Sequence, residues 1–208
     1  MGRAGVLRLV TTPGGGRRLA DVLREFRDEH PGVRVDLRPA NARKPQAVLS
    51  GEVDVALLRT DPGLPGLQVV ELWAEPWCVI LAGDHPLAGR DRISLRELAD
   101  DPIVRIGRGA MSEELLELCR GAGLEPRTGP ILASLEDAFA EIAATSSWTL
   151  LSEGGTDGGE SYGVASVAIA DELPPLRLLA CVRGQPSPPA RAFIALARRI
   201  QTAAARSS

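Results

Sequence analysis

Strand-like and helix-like patterns alternate along the first 58 residues of the chain. Three short segments have the apolar runs or the two-residue alternation of buried strands, at residues 7–10, 33–37 and 53–58. The segment between the first two carries its apolar residues at the spacing of one helix face, at Leu19, Val22, Leu23 and Phe26. A short helix ending at Gly51 precedes the third strand. This β-α-β-α-β order predicts an α/β fold with parallel strands and right-handed crossovers.

The rest of the chain repeats this alternation and ends in a helix. Six further segments are predicted to be strands, at residues 67–72, 77–81, 102–106, 130–133, 148–151 and 176–182. Serine residues mark the predicted starts of three helices, at Ser94, Ser112 and Ser134. The last helix should begin after Ser187, because Pro188 suits the first helical position. We therefore expect two successive α/β units followed by a terminal helix.

Charge and apolar content exclude several classes of protein. The 24 basic residues are interleaved with 27 acidic ones, and the net charge is −3. A domain that itself held DNA would usually have an electropositive face, so we expect no direct DNA binding. No apolar run approaches the roughly 20 residues of a membrane span, and no secretory pattern opens the chain. The sequence thus predicts a cytoplasmic protein without membrane contact.

The cysteines and histidines give no sign of a metal or catalytic centre. Cys78, Cys119 and Cys181 are odd in number and widely spaced, and free cysteines of cytoplasmic proteins are usually buried. Neither they nor the two histidines have the spacing of metal ligands, so no metal and no cofactor is predicted. His30 and His85 both precede proline at the ends of elements, and no Gly-x-Ser-x-Gly motif occurs. The sequence therefore predicts no enzymatic activity.

Five segments, taken in order, resemble the effector-binding domain of LysR-type transcriptional regulators. They are Phe-Arg-Asp-Glu-His-Pro at 26–31, Gly-Glu-Val-Asp-Val-Ala-Leu at 51–57, Asp-His-Pro-Leu-Ala at 84–88, the stretch 94–104, and Pro-Pro-Ala-Arg-Ala-Phe-Ile at 188–194. The resemblance implies a two-lobed periplasmic-binding-protein-like fold of type 2, with two Rossmann-like subdomains joined by two crossover strands. Subdomain I would comprise residues 1–82 and 178–208, and subdomain II residues 83–177.

The same resemblance implies a regulatory role. Such a domain binds a small-molecule effector between its lobes, does no chemistry, and contacts DNA only through an N-terminal winged helix-turn-helix domain. We expect that domain to be absent from these residues, because the chain begins at the first effector-domain strand, and we expect an excised domain rather than a natural fragment. Two alternatives stay open, an extracytoplasmic solute-binding receptor and a related two-lobed biosynthetic enzyme.

The family associates through its first lobe, so the resemblance also implies a homodimer or a higher homo-oligomer. The surfaces implied in this sequence lie near residues 19–26 and 73–80. Trp73 and Trp77 are interpreted either as core residues or as part of that dimer surface.

Candidate ligand contacts in the first unit follow from where its strands end, since ligands of open α/β sheets lie beyond the carboxyl ends of the strands. Thr11 and Thr12 lie between a strand and a helix amino end, which suits a carboxylate or phosphate. The family places a serine or threonine here, which favours Thr12, and a helix cap is the alternative. Asn41, after the second strand, is either a ligand contact or a cap. Arg59, after the third, is either a carboxylate-binding fork or a partner of Asp61.

The second unit offers two further candidate regions. Gly107 and Arg108 precede a helix amino end, so the same anion argument applies, and a solvated loop arginine is the alternative. The family has Gly-x-Gly where this chain has Thr-Ser-Ser before Trp148. Ser147 and Trp148 are therefore candidate contacts, with core packing as the alternative for Trp148. Arginines and helix amino ends together favour a small anion as the effector, such as an aromatic or aliphatic carboxylate.

Overall fold

The computed structural model describes residues 5–11, 16–38, 44–108, 110–156 and 158–204. The chain divides into two compact units, which we call unit 1 (Met1–Ala74 with Leu176–Ser208) and unit 2 (Glu75–Pro175). Our predicted boundaries fell at 82/83 and 177/178. The boundary before unit 2 lies earlier because the strand Trp77–Ala82 pairs with strands of that unit along its whole length.

Unit 1 contains one five-stranded sheet. Its strands in chain order are β1 (Gly5–Val10), β2 (Val33–Arg38), β3 (Val55–Leu58), β4 (Leu67–Glu75) and β11 (Leu176–Arg183). Across the sheet the order is β2-β1-β3-β11-β4. β1 is parallel to both β2 and β3, as the β-α-β pattern predicted, and β11 is antiparallel to β3. The carboxyl ends of β1, β2 and β3 therefore share one edge.

Three helices cover the sheet of unit 1: α1 (Gly16–Glu29), α2 (Lys44–Leu49) and α5 (Pro188–Ala204). On one face, α1 and α5 pack against β1 in a cluster that includes Leu19, Phe26 and Phe193. On the other face, Val48 of α2 packs with Val10 and Ala56. Burial on both faces accounts for the nearly continuous apolar residues of the central parallel strands β1 and β3.

Unit 2 contains two smaller sheets. Its strands are β5 (Trp77–Ala82), β6 (Arg92–Ile93), β7 (Ile103–Ile106), β8 (Thr128–Leu132), β9 (Thr149–Ser152) and β10 (Val164–Ile169). One sheet has the order β6-β10-β5-β9, and the other pairs β7 with β8 in parallel. The helices α3 (Ala110–Gly121) and α4 (Leu135–Ala144) follow β7 and β8. Three short 3-10 helices lie at Leu95–Leu98, Glu153–Gly155 and Gly159–Tyr162.

Two of the three predicted serine caps are confirmed. Ser94 and Glu97 form both hydrogen bonds of a capping box before the 3-10 helix Leu95–Leu98, and the Ser134 hydroxyl accepts the backbone N–H of Asp137 at 3.1 Å. The cap predicted at Ser112 is wrong, because α3 already begins at Ala110. Ser112 lies instead on the buried stripe of α3, in register with Leu115, Leu116 and Cys119.

The tryptophans predicted to be either core or dimer surface are core residues. Trp73 is 1% exposed and Trp77 7% exposed. In the segment 19–26, which we expected to face a partner, the apolar side chains Leu19, Val22 and Phe26 are buried within unit 1. Any dimer contact in this segment would therefore use the polar, outward-facing side chains of α1. Among the described helices, none has the length and apolar content that a membrane span requires.

Candidate functional site

Two predicted ligand residues lie together at the carboxyl edge of unit 1. Val10, the last residue of β1, is opposite Ala56 of β3 in the parallel register. Thr11 and Arg59 follow these two strands, so the sheet brings them to the same edge. Both side chains are partly buried, and both already interact with other groups. Thr12 and Asn41, the other two candidates of this unit, lie outside the described residues.

The predicted Gly107–Arg108 turn lies at the corresponding edge of unit 2. Gly107 has φ +69°, a left-handed conformation that favours glycine. Its N–H donates to the carbonyl of Leu132, the last residue of β8, at 2.8 Å. This bond fixes the end of β7 beside the end of β8, and the chain then enters α3. Arg108 is exposed.

Ser147 and Trp148 lie at the other end of β7. Trp148 forms a parallel bridge with Ile103, the first residue of β7, and its N–H donates to the carbonyl of Pro102 at 3.1 Å. Gly107 is four residues further along, about 13 Å at the rise of a strand. The structure therefore does not bring these two pairs of predicted residues together.

The side chains of Ser147 and Trp148 are enclosed within unit 2. Trp148 is 0% exposed, and its indole Nε1 donates to the carbonyl of Asp101 at 3.0 Å. The Ser147 hydroxyl lies 2.7 Å from that of Thr145. This arrangement supports the core alternative for Trp148, and a ligand contact by either residue stays a prediction.

Two polar residues near the Gly107 turn were not among the predicted contacts. Arg105 is the third residue of β7 and Ser112 lies in the first turn of α3. Among the described residues, neither the Arg105 Nε nor the Ser112 Oγ has a hydrogen-bond partner, although both atoms are buried. A charged residue inside the apolar run Ile-Val-Arg-Ile was the sequence signal for Arg105. For Ser112 the sequence predicts a helix cap, and that prediction leaves no reason to expect a buried, unpartnered hydroxyl.

An open hollow of about 510 Å³ lies at the opposite edge of unit 1. It is lined by the first residues of β1 and β2 and by the turn before β2: Gly5, Val6, Pro31, Gly32, Val33 and Arg34. Arg34 is the single ionisable side chain in this lining. The hollow is formed at the amino ends of the strands, whereas ligands of α/β sheets lie beyond the carboxyl ends, so we do not assign it as the ligand site.

Both histidines take part in packing within their own units. His85 Nε2 lies 3.3 Å from Asp101 Oδ2, and its Nδ1 accepts the N–H of Leu87 at 3.1 Å. The His30 ring packs against Phe26 with centroids 4.7 Å apart. Within the described residues, no group of three or more histidine, cysteine, aspartate or glutamate side chains could hold a metal ion.

The three cysteines are free thiols, and all are buried as predicted. They lie on separate elements: Cys78 on β5, Cys119 on α3 and Cys181 on β11. Burial raises the pKa of each thiol from 9.0 to about 11, because the thiolate would lose its hydration. Since the thiolate is the reactive form, the folded domain should be chemically inert at these positions.

We expect a thiol-reactive chromophore such as Ellman's reagent to label the folded chain far more slowly than the chain unfolded in guanidinium chloride, where all three thiols should react. Absorbance against time measures both rates. Because burial raises the pKa of each folded thiol from 9.0 to about 11, the unfolded chain ionises first, and the fold should lose stability as the pH rises from about 9 towards 11. Rapid labelling of the folded chain by even one equivalent would contradict the assignment.

A family model described as the LysR substrate binding domain matches residues 2–201 of the chain. The uncharacterized HTH-type transcriptional regulator YnfL of Escherichia coli (strain K12) is 33% identical over 132 residues, which cover 60% of this chain and 44% of YnfL. The chain spans less than half the length of the curated relatives it matches.

Solved structures show the same fold. The C-terminal domain of a probable LysR family regulator from Rhodococcus sp. RHA1 has a TM-score of 0.77 at 28% identity, covering 93% of this chain and 98% of that one. The effector binding domain of BenM with its effector benzoate has a TM-score of 0.82 at 17% identity, covering 98% and 95%. These likenesses confirm the predicted α/β fold of the periplasmic-binding-protein type. The chain therefore belongs to the family of LysR substrate-binding domains.

Proposed function

We propose that this domain senses a small molecule on behalf of a longer bacterial transcription regulator and does no chemistry itself. The observation that carries the proposal is the match of the LysR substrate-binding family to residues 2–201. The curated relatives that match it are HTH-type transcriptional regulators, which supports this role over the receptor and enzyme alternatives. DNA binding would then belong to another domain of the longer protein, and we expect that protein to act in the cytoplasm.

We infer that the effector carries a carboxylate or a similar small anionic group. Thr11 and Arg59 in unit 1 and Arg108 in unit 2 offer hydroxyl and guanidinium donors, and guanidinium groups bind carboxylates with two parallel hydrogen bonds. The same fold holds benzoate in BenM, so it can accommodate a small carboxylate. Thr12 and Asn41 remain predicted contacts.

A thermal-shift screen of the chain tests this function. The panel would contain small organic acids, amino acids and neutral sugars. A ligand of the native state at about 100 times its dissociation constant adds roughly 2.7 kcal/mol of stability, which is readily seen as a higher melting temperature. A selective rise with one class of compound supports the sensor role, whereas a flat response to a broad panel counts against it.

Replacing Arg59 with alanine should weaken binding of the stabilising carboxylate by roughly 10- to 100-fold, because a hydrogen bond to a charged group contributes about 1.5–3 kcal/mol. Isothermal titration would measure the dissociation constants. Arg27→Ala is the matched control, since its side chain is 68% exposed on α1 and should leave the affinity unchanged. Equal affinities for Arg59→Ala and the parent chain would remove Arg59 from the site.

We also propose that the longer protein works as a homodimer or a higher homo-oligomer. The exposed ion pairs on α1, such as Arg24 with Asp21, leave that helix with a polar outer face. A contact through this face would be sensitive to salt. Sedimentation at low and high ionic strength would show association, and a chain that stays monomeric at high concentration in both would refute this part of the proposal.

A further inference from the structure

We propose that the indole of Trp77 is a hinge clamp, which holds together, on the unit 2 side, the two chain segments that connect the units. The chain passes from unit 1 to unit 2 after Ala74, by the outgoing connection, and returns after Pro175, by the returning connection. The inference goes beyond the proposed function, because it concerns how these connections are built and requires no ligand. The sequence predicted Trp77 only as a core or dimer-surface residue.

A hydrogen bond of the Trp77 side chain joins the two connections directly. Its Nε1 donates to the carbonyl of Pro174 at 3.0 Å, across 97 residues of chain. Trp77 is the third residue of unit 2, and Pro174 is the last but one. This bond therefore fixes the outgoing connection to the returning one immediately inside both crossings.

The outgoing connection is itself attached to unit 2, so Trp77 provides a fixed point. Trp77 opens β5, where it pairs with Ser152 of β9. The carbonyl of Pro76 accepts the N–H of Glu153 at 3.2 Å. Trp77 is 7% exposed, and a closely packed side chain is held in one rotamer. Its N–H is therefore already directed at the returning connection.

The returning connection depends on side chains for its position. The six described residues between β10 and β11 belong to no strand or helix. Their start is fixed by Asp171, whose carboxylate accepts the Ser94 hydroxyl at 3.1 Å and the Leu95 N–H at 2.7 Å. Their other end is held at Pro174 by the indole of Trp77. Both anchors therefore belong to unit 2.

Two consecutive prolines explain why a side-chain donor acts at this end. Pro174 and Pro175 are exposed, and neither has a backbone N–H. The backbone there can be held only through its carbonyl oxygens, and an indole is a donor without acceptor capacity. The prolines also fix φ near −65°, which leaves few backbone torsions free. The return crossing is therefore stiff, and the Trp77 bond fixes its position.

On the unit 1 side, the sheet holds the same two connections together. β4 leads out of unit 1 and β11 leads back into it, and these strands are neighbours in the five-stranded sheet. Glu71 of β4 also lies 3.8 Å from Arg177 of β11, in an exposed ion pair. The connections are thus joined by strand pairing in unit 1 and by the Trp77 indole in unit 2.

The clamp has a mechanical consequence for movement between the units. Domain hinges absorb a rotation in a few residues at the ends of elements, which here are Ala74–Pro76 and Pro175 with Leu176. Because the connections are joined on both sides, these residues must turn together about a shared hinge. Without the clamp, the returning connection would move separately, and a wider range of movements would become accessible.

Backbone ¹⁵N relaxation of the 208-residue chain tests the clamp directly. Trp77→Phe keeps a buried ring and removes the donor. Order parameters at Glu172 and Leu173 should fall from about 0.85, typical of rigid backbone, towards about 0.6. Trp148→Phe is the matched control, because its Nε1 also donates to a backbone carbonyl of unit 2 at 3.0 Å, and it should leave these values unchanged. Unchanged values in Trp77→Phe, or an equal fall in both variants, would overturn the proposal.

A second measurement reports movement between the units. Arg27→Cys and Glu117→Cys introduce thiols at exposed positions of α1 and α3, and spin labels should select them because the native thiols are buried. Pulsed dipolar spectroscopy then gives the distribution of distances between the two labels. Adding Trp77→Phe should broaden this distribution, and adding Trp148→Phe should not. A distribution no broader with Trp77→Phe than with Trp148→Phe would refute the clamp.

Neither measurement uses a ligand, which keeps the clamp distinct from the proposed function. A chain that meets both expectations but gives no thermal shift with the compound panel keeps the clamp and loses the sensor role. A chain that one class of compound stabilises, and whose Trp77→Phe variant behaves like the parent, keeps the sensor role and loses the clamp.

Discussion

Replacing Trp148 with alanine should lower the free energy of unfolding of the ligand-free chain by about 3–5 kcal/mol, which is the usual cost of removing a fully buried aromatic side chain. Trp148 is 0% exposed, and its indole donates to the Asp101 carbonyl. The substitution would leave a cavity and an unpartnered buried carbonyl oxygen. Urea unfolding followed by circular dichroism measures the change as a shift in midpoint at constant slope.

Trp148→Phe and Tyr162→Ala are the controls for this prediction. The phenylalanine keeps most of the apolar volume and removes the Nε1 donor, so it should cost about 1–3 kcal/mol. Tyr162 is 42% exposed, and its loss should cost about 1 kcal/mol. The result also decides between the two interpretations of Trp148. An unchanged ligand-free stability combined with weaker effector binding would make Trp148 a ligand contact and contradict its place in the core.

Helix starts that depend on neighbouring residues were predictable from the sequence. The Ser94 and Ser134 hydroxyls accept backbone N–H groups two and three residues further along the chain, so the information lies within one helical turn. Pro188 opens α5 for the same local reason. Ser112 does not act as a cap because α3 begins at Ala110, two residues earlier, so the Ser112 side chain lies on the buried stripe of the helix. Tertiary burial thus overrode the capping preference of serine.

Long-range pairing was not predictable in the same way. β11 inserts beside β3, with Leu179 opposite Leu58 across 121 residues of chain. Nothing in either segment specifies its partner, because both are short apolar runs that many strands could pair with. The α/β class and the parallel β1, β2 and β3 followed from local patterns and a general crossover rule. The insertion of β11 and the division of unit 2 into two sheets required the three-dimensional structure.

The candidate site was predictable only where a strand end specified it. Thr11, Arg59, Gly107 and Arg108 all lie just past strands, as the rule for open sheets requires. Ser147 and Trp148 were chosen from a departure from the family pattern, and they lie at the amino end of β7. Ser112 is distinguished by a buried hydroxyl that has no hydrogen-bond partner among the described residues. This property depends on packing, so it cannot be inferred from the order of the residues.

Replacing Phe193 with alanine should lower the free energy of unfolding by about 3–5 kcal/mol, because the substitution leaves a cavity in the core of unit 1. Phe193 of α5 is 0% exposed, and so is Phe26 of α1. Their rings meet edge to face, with centroids 5.9 Å apart and planes at 78°. The pair therefore joins a helix near the start of the chain to the last helix. Amide hydrogen exchange should show the largest loss of protection in β1, α1 and α5, which this cluster covers.

A double-variant cycle separates the edge-to-face contact from simple burial. Phe26→Leu and Phe193→Leu each keep an apolar side chain, so each should cost less than the alanine change. If the ring geometry contributes, the two leucine variants should be non-additive by about 0.5–1.5 kcal/mol. Leu37→Ala is the control for an apolar truncation, because that side chain is 51% exposed and should cost about 0.5 kcal/mol or less. Additive leucine variants would assign the whole effect to buried area, and a Phe193→Ala chain as stable as the Leu37→Ala chain would refute the packing of α5 on unit 1.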